Sequence, residues 1–143
     1  MRFLQVRQAS ALIFFLILFF GAESCEKRTE KKLAGTTWIS FERTVAYEAE
    51  TITYDEDQFN HILHFNAEGS FYRTYEHGIW KVENNNLVVT TQDGHCTISY
   101  KLVKHTNKEL ILESRRSPII PFLGCADGNE NDPKVTEVYK RSK

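Results

Sequence analysis

The chain has 143 residues, 26 % of them charged and 41 % hydrophobic, with a formal net charge of −1. No basic excess marks a nucleic-acid partner, and no long block of one charge marks a polyelectrolyte partner. The length fits one domain behind a short leader and is too small for two well-formed ones.

The leader comes first. Arg2 and Arg7 are the only charges among the first 22 residues, and Ala11 to Phe20 is entirely apolar. A membrane-spanning helix needs about 20 apolar residues. This run is half that and suits the apolar region of a signal peptide. Small residues follow at Gly21, Ala22 and Ser24, and then Cys25. The order resembles a bacterial lipoprotein signal, in which a short box precedes an invariant cysteine. Here the box positions are Ala22, Glu23 and Ser24, and Glu23 stands where that pattern has a smaller residue. The resemblance implies a signal over residues 1–24 and lipid on the Cys25 thiol and on its freed amine. Two or more chains give stable anchoring. The implied location is the outer membrane of a cell envelope, on its periplasmic or surface face. A plain secretory signal with an Ala-x-Ser site, or an uncleaved anchor, are the alternatives. After Cys25 comes EKRTEKK, six charges in seven residues. Residues 25–32 read as a solvated tether, with nothing apolar to bury.

From Leu33 onward the chain reads as β. The runs are TTWISFERT, ETITY, HILHF, SFYRTYE, IWKVE, LVVTT, CTISYKLVKH, LILES and VTEVYKR, mostly separated by turn residues such as NAEG, NNN and QDG. Short strands at roughly 8–12-residue spacing predict an all-β, antiparallel up-and-down meander of about eight or nine strands. Closure into a barrel removes its exposed edges. Alternation places Leu63, Phe65, Phe71, Trp80, Val82, Leu87, Val89, Ile98, Tyr100, Leu102, Leu110 and Leu112 inside.

The series LAGTTW, LHFNAEGSF, GIWKVENNNLVVT, YKLVKHTNKELILE and VYKR resembles the lipocalin-like domains of small bacterial lipoproteins. It covers nearly all of residues 33–143. The resemblance implies a barrel-end motif in which a glycine precedes a plugging tryptophan and a basic residue packs over it. The matching positions are Gly35, Trp38 and Arg141, with Lys140 as the other basic candidate. Two residues separate Gly35 from Trp38, where the family pattern has one. The resemblance also implies a calyx for a small apolar molecule. Its candidate lining is Phe65, Phe71, Arg73, Tyr75, Trp80 and Tyr100. An eight-stranded barrel is just wide enough to be filled by its own side chains. The alternative is therefore a filled barrel acting as an envelope interaction or inhibitor module. Its contacts would come from residues 115–133, with Ile119, Ile120, Phe122 and Leu123 capping the barrel or meeting a partner.

If Cys25 carries lipid, Cys96 and Cys125 remain as a pair that can oxidise outside the cytoplasm. A metal site through His95, Cys96 and Cys125 lacks the usual ligand spacing. No motif of nucleophilic, phosphate-binding or metalloprotease chemistry occurs, and nothing calls for a cofactor. His61 and His64 fall on opposite faces of one strand, which argues against a shared metal. All five histidines read as exposed strand-end or loop residues. YDEDQ and ADGNEND read as solvated acidic loops without the EF-hand spacing. Arg73 shares the inward face of Phe71. It therefore either snorkels out of an open barrel end or needs a buried carboxylate or an anionic ligand.

Overall fold

The computed structural model describes residues 25–58, 60–74, 76–92, 96–115 and 131–143. Nine antiparallel strands carry the fold: β1 (Thr36–Ala46), β2 (Thr51–Tyr54), β3 (Ile62–Phe65), β4 (Ser70–Arg73), β5 (Glu76–Glu83), β6 (Asn86–Thr91), β7 (Thr97–His105), β8 (Glu109–Arg115) and β9 (Lys134–Arg141). Each of the nine strands overlaps one of the expected runs, and SFYRTYE also reaches the first residue of β5. Pairing proceeds from β3 to β9 in chain order, and β9 returns to β1 over Trp38–Ala46. That contact closes an eight-stranded meander barrel. The ninth strand, β2, lies end to end with β3 on the same edge of β1. β3 pairs with Thr36–Ile39, and β2 pairs with Arg43–Ala46.

Turn chemistry fixes the hairpins. Asn84 and Asn85 both have positive φ, 50° and 61°, between the paired Glu83 and Asn86. This two-residue left-handed turn matches the twist of antiparallel strands, and asparagine tolerates it better than most residues. All twelve residues assigned to the inside by alternation are buried. Phe65 meets Trp80 edge-on, with ring centroids 5.0 Å apart.

One expectation is overturned. Residues 25–32 are not a solvated spacer, because residues 25–33 form a helix, α1. Glutamate, lysine and arginine are good helix formers. Thr29 and Leu33, one turn apart, are buried. The Glu26 and Glu30 carboxylates accept hydrogen bonds from the backbone N–H groups of Asn84 and Val82, at 2.6 and 3.0 Å. Docking thus runs largely through polar atoms, which a search for apolar periodicity does not register. Gly35 follows the helix with φ 71°, and its N–H donates to the Phe65 carbonyl at 2.7 Å. A Cβ there would meet nothing within 4 Å, so the glycine serves conformation, not space. Helix α1 lies at one end of the barrel, called the base here. The rim is the opposite end, where Lys134 pairs with Ala46 on one side and Arg115 on the other.

Candidate functional site

The base is sealed by aromatic and aliphatic side chains. Trp38 is 1 % exposed and shares one cluster with Leu33, Phe65, Trp80 and Tyr139. Its indole N–H donates to the Thr36 hydroxyl at 2.7 Å, and that hydroxyl donates to the Leu33 carbonyl. The ladder places Arg141 directly opposite Trp38. The cation–π contact at this corner is a different one, with the Lys140 ammonium 4.6 Å from the Phe41 ring centroid.

Toward the rim the interior becomes polar. A bulge in β1 between Ser40 and Glu42 leaves Phe41 outside the pairing and exposed. Parity then switches, so that Arg43 and Val45 face inward beyond the bulge. Re-aiming a side chain is what a bulge does. Arg43 sits opposite Glu137 of β9. Glu137 is 1 % exposed and is the centre of a network. Its Oε1 lies 3.0 Å from Arg73 Nη2 and 3.8 Å from Arg43 Nε. The Tyr139 hydroxyl donates to its Oε2 at 3.2 Å, and Arg73 Nη1 donates to the Tyr100 hydroxyl at 2.7 Å. Four strands supply these groups. A buried carboxylate needs such partners, since an unpaired one is costly.

Electrostatics follow from the geometry. Burial opposes the charge on Arg73, but Glu137 and then Tyr100 outweigh it and hold the guanidinium pKa well above its ordinary value. Burial pushes the Tyr139 hydroxyl up. His61 lies inside, tied to β1 by two backbone-linked bonds to Ser40 at 2.7 and 2.9 Å. Burial first, and Arg73 second, lower its pKa from 6.5 to about 4, leaving a neutral imidazole at pH 7.

Among the described residues, the space beside the ion network is small. A cavity of ≈ 10 Å³ lies beside Arg73, Glu76 and Tyr100, over Leu63, Phe71 and Leu112. That is room for about one water. Outside, Ile39, Ile62, Tyr72 and Ile79 are exposed. Register puts Ile39 opposite Ile62, and Tyr72 and Ile79 follow diagonally on β4 and β5. The four make an apolar strip across the outer wall.

The chain matches no family model, no curated protein and no solved structure. Among the described residues no helix is long and apolar enough to cross a membrane. No group of three or more His, Cys, Asp or Glu side chains among them is placed to hold a metal.

Of the expected cavity residues, Phe65, Phe71, Trp80 and Tyr100 are buried as wall and filling, and Arg73 lies among them. The snorkelling reading of Arg73 is overturned, because its carboxylate partner is internal. The reading of every histidine as exposed is overturned at His61. His64 is half-buried and bridges Thr37 and Asn66 at 2.7 and 2.9 Å. The YDEDQ turn is closed by its own Asp55, whose Oδ1 accepts the N–H groups of Asp57 and Gln58. Cys96 is in the core at the start of β7, and Cys25 is exposed on α1. Tyr75, His95, Cys125, the apolar positions 119–123 and residues 1–24 lie outside the described residues. Sequence reasoning missed Arg43 and Glu137. The bulge hid the first. The second had a signal, since Glu137 shares parity with Val135 and Tyr139 in VTEVYKR.

Proposed function

We propose that this is a lipid-anchored cell-envelope barrel of lipocalin-like type, acting as a protein-interaction or inhibitor module. The observation that carries this reading is the packing among the described residues, where aromatic side chains and the Glu137 network fill the space they line. Ligand pockets run to about 300–1,000 Å³, far above the ≈ 10 Å³ beside Arg73. The outer strip of Ile39, Ile62, Tyr72 and Ile79 supplies apolar surface for a partner. Lipid on Cys25 is part of the proposal, as is a disulfide between Cys96 and Cys125. That disulfide would close the chain between them and stabilise by about 3–4 kcal/mol in the loop-entropy model.

A second reading, a carrier of a small apolar molecule, is favoured by the cavity's lining of Leu63, Phe71, Val89 and Ile98. Native mass spectrometry of the protein purified from its own host separates the two. A bare protein mass, allowing for lipid on Cys25, fits the interaction module. A reproducible added mass that organic solvent removes would establish the carrier.

A further inference from the structure

The geometry points to a membrane-facing surface on α1 that binds anionic phospholipid headgroups and holds the barrel base-down. This rests on the lipoprotein reading for its anchor and goes beyond it by assigning an orientation.

Helix α1 sorts its charges. Both acids, Glu26 and Glu30, turn to the barrel and accept backbone N–H groups of β5 and the β5–β6 turn. All four cations, Lys27, Arg28, Lys31 and Lys32, are exposed. At helical spacing Lys27 stacks with Lys31, and Arg28 with Lys32. The outward face therefore carries four positive charges and no acid. An open groove of ≈ 310 Å³ runs beside it. Lys27 and Lys31 line that groove together with Trp80, Ala34, Ala67 and Gly69, and Glu30 is there too, already engaged by Val82. Cations beside an apolar floor suit an anionic amphiphile.

Position makes the partner a membrane. Cys25 lies on the same helix, so no slack chain separates the proposed anchor from the docked base. A lipid there brings the four cations to headgroup level. Polybasic segments gain about fivefold in binding per Lys or Arg near an anionic leaflet, within a Debye length of the surface. The far end has mixed charge, with Glu48 and Glu50 in the exposed β1–β2 connection near Arg115 and Lys134, and has no purely cationic face of this kind. With the base held at the leaflet, the rim and the outer wall stay open to a partner.

The test uses the protein purified from its host's membranes. It is mixed with vesicles of phosphatidylcholine alone, or with one-third phosphatidylglycerol. Lysine acetylation of the bound protein is read by mass spectrometry. The expected result is several-fold protection of Lys27, Lys31 and Lys32 on the anionic vesicles, with Lys134 at the rim unchanged and the protection lost in high salt. Equal acetylation on both vesicles overturns the proposal. If the protein floats only with anionic vesicles, the anchor reading fails and the surface stands. Lys27→Gln/Lys31→Gln then weakens that binding roughly 25-fold, fivefold per charge. An unchanged affinity in this variant, or no binding to either vesicle, overturns the surface as well. The variant keeps Glu26 and Glu30, so an unchanged melting temperature confirms that α1 is still docked.

Discussion

Toward the base, the barrel is filled by Leu33, Trp38, Phe65, Trp80, Leu110 and Tyr139. Toward the rim, the same strands turn Arg43, Arg73, Glu137 and His61 inward. The base is held by non-directional burial, where the shape of the filling matters most. The rim half is held by directional pairs, where each charge depends on the others. A buried ion network is not in itself a source of stability, but losing one member leaves charges stranded. The two halves should therefore fail differently.

The largest effect is expected from Glu137→Leu, which strands two guanidiniums. It should cost about 3–5 kcal/mol and lower Tm by about 10–20 °C in calorimetry. Replacing the whole network, as Arg43→Met/Arg73→Met/Glu137→Leu, should recover most of that loss. Trp38→Ala in the base should also cost about 3–5 kcal/mol. Adding Arg43→Met should increase that loss and not relieve it, because removing Trp38 strands no charge of the network. Full additivity of the three network substitutions would erase the distinction between the halves.

Acid gives a graded version of the same contrast. His61 has a folded pKa near 4 against 6.5 unfolded, so the unfolded chain binds the proton more readily. Its stability contribution is complete above about pH 6.5 and is lost as pH falls toward 4. His61→Asn should flatten the slope of Tm between pH 6.5 and 4. An identical slope in the variant would mean that His61 is not the group responsible.

The base half was legible in the sequence because most of its strands alternate cleanly; β7 is the exception, its register shifting between Leu102 and Lys104 only after its inward residues Ile98, Tyr100 and Leu102. Trp80 and Val82 against Lys81 and Glu83 leave one sensible inward face. At the rim the same rule breaks for physical reasons. The β1 bulge reverses parity after Phe41, so counting from Trp38 puts Arg43 outside. Glu137 shares the inward parity of Val135 and Tyr139, but its partner Arg73 lies on β4, 64 positions away in the chain, which a linear pattern does not link. Helix α1 was invisible for a related reason: its docking runs through Glu26 and Glu30, residues that look fully solvated in a linear pattern. Gly35 was marked by its resemblance to a barrel-end motif, and its backbone role is the end of α1. Gly35→Ala is the smallest of the expected effects, about 1–2 kcal/mol from the left-handed backbone alone, since there is open space around the position. A larger loss would mean that the new methyl group meets something.

The central claim is that the rim half is filled by its own ion network. Nitrogen-15 NMR of the arginine guanidinium groups at pH 7 tests it most directly. Arg73, bonded through Nη1 to Tyr100 and through Nη2 to Glu137, should give separate, slowly exchanging Nη signals that collapse in Glu137→Leu. A single averaged, rapidly exchanging Arg73 signal in the wild-type protein would contradict the account and reopen the interior to solvent or cargo.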